Sequence, residues 1–216
     1  MTFSIAARCP RTGAFGVSIT TASICVGARC PFVLAKHGAV LSQNRTDPVL
    51  GLRGIELLKA GRSAQQVTDE LVKGARHIGW RQLAVVDKTG SVAHFSGDKI
   101  VSLHGGHVGP QCVSIGNLLK DKRLPKAMVD GFMEKPDAHI ADRLIRALEA
   151  GLEAGGETNP VRSATLLVGE SHEFPEINLR VDWHDDPVAE LGRIWRAYEP
   201  QMANFMLRVA DPGAAV

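Results

Sequence analysis

Residues 2–21, TFSIAARCPRTGAFGVSITT, decide the fold class of this chain. Apolar and small polar side chains alternate over Phe3–Arg8, a pattern typical of a β-strand. Pro10–Gly13 indicates a tight turn, because proline presets φ and glycine tolerates positive φ. A second strand is predicted over Ala14–Thr21. The chain therefore opens with a β-hairpin, whose two strands must be antiparallel.

Downstream of this hairpin, blocks of strands alternate with pairs of helices. Asp47–Pro48 and the capping box Ser63–Gln66 each predict a helix start, and the two helices end near Gly61 and Gly74. The remaining predicted elements are strands within 32–42 and over 82–86, 92–95, 100–103 and 112–115, a glycine-rich loop at 105–109, helices over 125–134 and 138–154, strands over 161–168 and 178–181, and a helix from 187. We expect an α+β fold in which helices cover two mainly antiparallel sheets.

Composition bounds the class of protein. The 216 residues, 44% apolar and 22% charged, suit a single domain over 1–216 with a frayed tail at 210–216. The net charge is +2 and no basic stripe is interleaved with aromatics, so we expect no nucleic-acid partner. Neither a signal peptide nor an apolar run of about 18 residues is visible, and no cysteines form a C-x-x-C pair. We therefore expect a cytoplasmic protein with reduced thiols and no membrane partner.

Thr2 is the residue of this sequence with the most specific catalytic chemistry. Its small side chain favours removal of Met1 by methionine aminopeptidase, and we expect most of the protein to lack Met1. Thr2 would then hold a free α-amine, with an ordinary pKa of about 7.7–8.0, beside its own hydroxyl. One residue would supply the nucleophile and the general base of a hydrolase. Because Phe3 already belongs to a predicted strand, Thr2 would be fixed at a sheet end; the alternative is a terminus without a role.

Two further polar segments end predicted strands. Asn117 follows Gly116, and its amide could donate a hydrogen bond to a developing oxyanion. On the residues alone, an ordinary turn is the favoured alternative. Gln43 and Asn44 lie where a strand meets a helix N-terminus, a place where polar donors gather. Their role stays open between substrate binding and helix capping.

The segment RVDWHDD, residues 180–186, is the last candidate. Arg180 and Asp182 share one face of a predicted strand, and could pair with each other or with charged groups of a substrate. Asp182, His184 and Asp186 also have a spacing that metal ligands can adopt, which would suit a metal-assisted hydrolase. A salt-bridged strand end is favoured over a metal site. We expect no metal and no other cofactor, because the α-amine of Thr2 replaces the base.

Several short motifs, taken in their order and spacing, are similar to one bacterial family. They are TFSI (2–5), PRTG (10–13), VGA (26–28), GN (116–117), RSA (162–164), NLRVD (178–182) and DPVAEL (186–191). They span nearly the whole chain, which resembles the domain of unknown function 1028 family, grouped with the N-terminal-nucleophile (Ntn) hydrolases. The chain departs from the family pattern in the polar segment 44–47 and at Ile115, which leaves the substrate open.

The resemblance implies a four-layer αββα sandwich, with Thr2 as nucleophile and Asn117 beside it. Some relatives are fused to a peptidoglycan-binding module, which implies amide or peptide-like substrates. We expect an amidohydrolase that cleaves a small amide or peptide-like substrate through an acyl–Thr2 intermediate. A cyclic amide is one candidate substrate. A non-catalytic ligand-binding or assembly domain is the alternative, and a homodimer is the expected assembly. The expected substrate-binding residues are Gln43, Asn44, Gly116, Arg180 and Asp182.

Overall fold

The structure is a computed structural model, and it describes residues 2–215. Met1, whose removal is expected, lies outside this range. The elements in chain order are β1 (Thr2–Arg8), β2 (Phe15–Thr21), β3 (Pro31–Leu34), β4 (Gly38–Asn44), α1 (Pro48–Lys59), α2 (Ala64–Gly74), β5 (Arg81–Asp87), β6 (Val92–Ser96), β7 (His104–Gly109), β8 (Cys112–Asn117), α3 (Leu124–Met133), α4 (Ile140–Glu153), β9 (Ser163–Gly169), β10 (Ile177–Val181) and α5 (Pro187–Ala210).

The strands form two sheets in which every pairing is antiparallel among the described residues. The first sheet has six strands in the order β10-β9-β2-β1-β8-β7, and the second has four in the order β3-β4-β5-β6. The opening hairpin forms as predicted, and Phe3 pairs with Thr20 across it. Strand β1 is therefore central in the larger sheet, with β2 on one side and β8 on the other.

Three layers of apolar side chains hold the sheets and helices together. The first packs the six-stranded sheet against α3, α4 and α5, and includes Phe3 and Leu144. The second fills the space between the two sheets, where Val17 and Leu41 lie. The third packs the four-stranded sheet against α1 and α2, around Leu71. The order of layers is thus α, β, β, α, which confirms the expected four-layer sandwich.

The helix starts follow the sequence signals. The Asp47 carboxylate accepts a hydrogen bond from the Val49 N–H at the beginning of α1. Ser63 and Gln66 form the complete capping box that begins α2, since each side chain accepts from the backbone N–H of the other. These caps satisfy donors that the first helical turn would otherwise leave unpaired.

The sequence prediction is wrong for two neighbouring segments, 100–103 and 105–109. The predicted strand over 100–103 is irregular, and the predicted loop at 105–109 lies in strand β7, His104–Gly109. Strand β7 is the edge of the six-stranded sheet and is held by its backbone pairing with β8. An edge strand does not need the alternating apolar side chains by which a strand is detected in sequence. Gly106 also approaches the His94 ring so closely that a Cβ would collide with it.

The last helix is longer than the apolar pattern indicated. Helix α5 runs to Ala210 with Pro200 inside it, and Asp211–Ala214 are exposed. The frayed tail at 210–216 stays a prediction. Among the described residues, no helix combines the length and the apolar character that a membrane span requires.

Candidate active site

Thr2 begins the central strand of the six-stranded sheet. It pairs with Asn117 of β8, and its side chain is only 6% exposed. Side chains alternate along β1, so that Phe3 faces the helices while Ser4 faces the other sheet. Thr2 therefore turns its hydroxyl toward the space between the sheets. There the Thr2 Oγ1 lies 3.2 Å from the Thr21 Oγ1, at hydrogen-bond distance.

A chain of buried amides connects the two sheets next to Thr2. The Ser4 hydroxyl donates to the Gln43 Oε1 at 2.7 Å, and the Gln43 Nε2 donates to the Gln82 Oε1 at 3.1 Å. Asn117 closes the chain, because its Nδ2 donates to the same Gln82 oxygen at 2.8 Å. The side chains of these four residues are fully buried. Such a connected polar network fixes the orientation of each amide.

Both the oxygen and the nitrogen of the Gln82 side-chain amide form hydrogen bonds in this network. Its Nε2 donates to the Ser96 Oγ and to the Gly116 carbonyl, each at 3.0 Å. Asn117 is less fully used: within residues 2–215 its buried Oδ1 has no hydrogen-bond partner. Its Nδ2 carries two hydrogens, and Gln82 needs only one of them. Asn117 thus keeps hydrogen-bonding capacity next to Thr2.

Glu157 is the second buried group at this end with unused hydrogen-bonding capacity. It is 2% exposed, and neither carboxylate oxygen has a hydrogen-bond partner among the described residues. Burial raises its pKa to about 7, against the opposing effects of the positive charge of the chain's amino terminus and of the Ala22 backbone. A buried carboxylate without partners is costly and marks a position where a further group can bind.

Left-handed backbone conformations occur at both ends of the sheets, and three of them lie near Thr2. Cys25, Asn44 and Leu118 have φ values of 55°, 69° and 53°, and each lies at or just beyond the end of a strand near Thr2. Such conformations are unfavourable for residues other than glycine and concentrate at functional sites. Asn44 is held there by a hydrogen bond from its Nδ2 to the Trp80 carbonyl at 2.7 Å.

The structure does not bring every predicted residue to Thr2. Gln43, Gly116 and Asn117 meet in the amide network, whereas Arg180 belongs to β10, three strands away from β1. That separation is about 14 Å of sheet. Arg180 pairs with Asp182, with the Arg180 Nη2 2.8 Å from the Asp182 Oδ1. Substrate binding by this pair stays a prediction.

The metal alternative finds no coordination set. Among residues 2–215, no group of three or more histidine, cysteine, aspartate or glutamate side chains is arranged to hold a metal ion. The Asp182 carboxylate is engaged by Arg180, and the His184 Nδ1 accepts the Asp186 N–H at 3.0 Å. The segment 180–186 is thus a salt-bridged strand end that leads into α5.

Sequence reasoning missed Thr21, Gln82 and Glu157. Thr21 ends the predicted second strand and is the only one of the three with a positional signal, as the hydroxyl residue opposite the start of β1. Gln82 sits in an ordinary strand pattern. Glu157 follows two glycines in a segment that resembles any exposed loop. Only the fold shows that all three are buried beside Thr2.

Cavity size does not single out this end of the molecule. A cavity of about 280 Å³ lies instead in the helical layer, between α3, α4 and α5, where Arg143, Arg146 and Trp195 line it. The buried polar network, the carboxylate without partners and the left-handed residues all point to Thr2. Reacting groups rather than empty space define a catalytic site, so the candidate site lies at the Thr2 end.

The fold and the site define a class: an αββα sandwich with a buried polar cluster where the central strand begins. Residues 2–191 match the model of the Family of unknown function (DUF1028), and the chain belongs to this family. A crystal structure of a family protein from Silicibacter pomeroyi superposes with a TM-score of 0.84 at 29% identity, over 91% of this chain and 88% of that one.

A second solved structure is much less similar. Anbu (ancestral beta-subunit) from Yersinia bercovieri gives a TM-score of 0.40 at 11% identity, over 93% of this chain and 96% of its own. This likeness is too weak to support an inference. A search of curated proteins found no match.

Proposed function

We propose that this chain is an Ntn-type amidohydrolase that cleaves a small amide through an acyl–Thr2 intermediate. The observation that carries the proposal is the position of Thr2: it begins the central strand, and its hydroxyl faces the space between the sheets beside Asn117. In this proposal Met1 is removed, and Thr2 becomes the first residue.

The chemistry needs only the groups of Thr2 and the substrate. The Thr2 oxygen attacks the amide carbonyl while the α-amine accepts the hydroxyl proton, either directly or through a water. The tetrahedral intermediate collapses, the ammonium returns its proton to the leaving nitrogen, and an ester on Thr2 remains. Water, deprotonated by the same amine, then cleaves the ester and releases the acid. The amine acts as base and acid in turn, as histidine does in a catalytic triad.

Asn117 supports the oxyanion in this proposal. The register places it directly opposite Thr2, and Gln82 holds its amide in one orientation. The second hydrogen of its Nδ2 is free to bind the oxygen that becomes charged in the tetrahedral intermediate. A donor fixed before the reaction stabilises the transition state without reorganisation.

The rim of the site suits a substrate with an apolar part. Ile24, Val101 and Leu103 are large, exposed apolar residues in the loops next to β2 and β7 at the Thr2 end. Grouped exposed apolar side chains are a feature of binding surfaces. The polar interior and apolar rim together favour a small amide with an apolar substituent as the substrate class.

The test uses a β-lactone, which acylates a nucleophilic hydroxyl and adds its whole mass. Protein released from a cleavable fusion with Thr2 as its first residue should gain one lactone, detected by intact mass spectrometry and mapped to Thr2 by peptide analysis. Thr2→Ser keeps both groups and should also be labelled. Thr2→Ala keeps the amine but loses the hydroxyl, and should not be labelled. An uncleaved extension converts the amine into an amide and should also prevent labelling.

Two results would contradict the proposal. Equal labelling of Thr2→Ala would move the nucleophile elsewhere. Absence of labelling in every form, together with retention of Met1 in protein expressed without a fusion, would favour the second candidate, a ligand-binding domain without catalysis. The observation that favours this second candidate is the low exposure of Thr2, which is 6%.

A further inference from the structure

The line of β1, extended beyond Thr2, runs in the gap between the chain segments that follow β2 and β8. The chain runs on from the end of β2 at Thr21 into Ala22, and from the end of β8 at Asn117 into Leu118 and Leu119, whereas the first described residue of β1 is Thr2. The line of β1 extended backwards therefore passes between two backbone segments. When Thr2 is the first residue, its α-amino group lies on this line, because the amino group of a strand's first residue continues the strand axis.

Glu157 spans this gap. Its backbone pairs with Leu119 on the β8 side, where the Thr158 N–H also donates to the Leu118 carbonyl at 2.9 Å. Its carboxylate reaches the β2 side, where the Ala22 backbone acts on it. Glu157 is thus placed from both sides across the position where the Thr2 amine would lie.

Among the described residues, no charged side chain pairs with this carboxylate. Among the described residues its two oxygens accept no hydrogen bond, although it is buried. Lys120, on the same segment as Leu119, is exposed, and Arg162, which follows it toward β9, pairs with Asp185. Neither basic side chain neutralises Glu157.

We propose that Glu157 is the positioning residue of the site, and that it orients the α-amino group of Thr2 and stabilises its ammonium form. This inference rests on the proposed function, because it requires Thr2 to be the first residue. The hydroxyl, the amine and the carboxylate then form a unit of nucleophile, base and orienting anion. Glu157 accepts hydrogen bonds from the amine and fixes the direction of its lone pair toward the Thr2 oxygen, as the aspartate of a catalytic triad does for its histidine.

The test measures the Thr2 amine directly and does not depend on turnover. Protein released with Thr2 as its first residue is treated with trace acetic anhydride across pH 5–10, and α-acetylation is quantified on the amino-terminal peptide by mass spectrometry. The midpoint gives the pKa of the amine. Glu157→Gln should lower this midpoint by about one pH unit or more, because a nearby carboxylate favours the ammonium form. Glu157→Asp keeps the charge and should remain closer to the parent protein.

The matched control is Glu176→Gln, the same change at a buried carboxylate that lies at the opposite end of the sheet. It should leave the amine midpoint unchanged. If Glu157→Gln does not fold, Glu157→Met removes the charge with a side chain of similar length and gives the same comparison. Midpoints that agree within about 0.3 pH unit between the parent and the neutral variants would overturn the inference.

The inference and the proposed function can fail separately. A shifted midpoint without lactone labelling of Thr2 supports the pairing of Glu157 with the amine and contradicts the hydrolase. Lactone labelling with an unshifted midpoint supports the hydrolase and overturns the role of Glu157. A loss of stability alone would leave the amine midpoint of folded protein unchanged, so a merely structural role gives the overturning result.

Discussion

The two ends of the six-stranded sheet each bury a glutamate, and the two carboxylates have opposite surroundings. Glu176 lies near the end of β9, where it accepts the backbone N–H groups of Glu170, Ser171 and His172 and contacts the His172 ring. Burial alone would raise its pKa, but these donors lower it to about 2. Among the described residues Glu157 lacks such a set of donors: burial raises its pKa to about 7, and the amino terminus and the Ala22 backbone oppose this rise only in part.

In the proposed function, this difference separates an end where a carboxylate stabilises a loop from an end where a carboxylate takes part in the site. At the Glu176 end the backbone satisfies the charge completely, so this carboxylate stabilises the loop that joins β9 to β10. At the Thr2 end, within residues 2–215, a carboxylate and an amide oxygen have no hydrogen-bond partner, and three nearby residues have left-handed backbones. These features cost folding free energy, and in the proposed function they prepare a site for another group.

The largest expected effect tests the amide at the Thr2 end. Asn117→Ala should lower the rate of Thr2 acylation by the β-lactone by roughly 10²–10³, as for the loss of one oxyanion donor. Its buried hydrogen bond to Gln82 is lost as well, so we expect a destabilisation of about 1–2 kcal/mol. The acylation rate is measured on intact protein at a temperature well below the unfolding transition.

Ser114→Ala is the matched control for Asn117. Ser114 lies on the same strand but faces the helices, where its hydroxyl contacts the Met128 sulfur at 3.2 Å. It should change the acylation rate less than about twofold, since it touches no group of the site. Equal losses of rate in both variants would show that β8 as a whole, rather than the Asn117 amide, determines the rate.

The next prediction compares how the two carboxylates affect the free energy of unfolding. Glu176→Gln should lower the free energy of unfolding by about 2–3 kcal/mol, because it weakens several charge-assisted hydrogen bonds. Glu157→Gln should be neutral or stabilising, since it removes a buried charge whose oxygens have no hydrogen-bond partner among residues 2–215. Urea unfolding of both variants with the same slope checks this comparison. A larger loss for Glu157→Gln would break the distinction between the two ends.

The pH dependence of stability should show two separate windows, each with a slope of at most about 1.4 kcal/mol per pH unit. The folded-state pKa of Glu176 is depressed to about 2, so its contribution is present above about pH 4.5 and is lost as the pH falls. The folded-state pKa of Glu157 is raised to about 7, so the folded state holds its proton more tightly and stability decreases as the pH rises from about 4.5 to 7.

Each window is assigned by subtraction of the corresponding glutamine variant, in protein that keeps Met1. The window of Glu157 should narrow once Thr2 is the first residue, because its ammonium favours the charged carboxylate. A curve for Glu157→Gln that parallels the parent protein between pH 4.5 and 7 would contradict the raised pKa.

Much of the fold was predictable because its signals are local. The opening hairpin, the capped starts of α1 and α2 and the alternation of strand and helix blocks each depend on residues within one turn or one strand. Strand β7 was not predictable, because an edge strand of glycine and histidine is held by its neighbour rather than by its own pattern.

The site was predictable only where a residue carries its chemistry alone. Thr2 could be singled out because nucleophile and base belong to one residue, and Asn117 because a polar amide ends a strand. Glu157 gives no local signal: its role depends on the pairing of its segment with Leu118–Lys120, about 38 residues earlier in the chain. Contacts between residues so far apart in the chain follow from the tertiary fold, and no short segment of the sequence carries a pattern that predicts them.

The smallest expected effect compares backbone strain at the two ends. Leu118 and Gln111 both have left-handed backbones, with φ of 53° at the Thr2 end and 56° at the opposite end. At each position the glycine variant should exceed the alanine variant in stability by about 1 kcal/mol, because glycine adopts positive φ without a steric penalty. Urea unfolding of the four variants measures this difference, and the comparison of glycine with alanine cancels the loss of each side chain.

The rate of Thr2 acylation should differ between the glycine and alanine variants only at the Thr2 end. Leu118 directs the chain from β8 to the segment that pairs with Glu157, since its carbonyl accepts the Thr158 N–H. A glycine at this position lets the backbone of the turn adopt other directions. Leu118→Gly should therefore slow lactone acylation of Thr2 more than Leu118→Ala does. Gln111→Gly and Gln111→Ala should acylate equally, because the turn at Gln111 adjoins Arg8 and lies the full length of β1 away from Thr2. Equal rates for the two Leu118 variants would mean that the left-handed backbone is a requirement of the turn alone, and the strain at the Thr2 end would then have no part in placing Glu157.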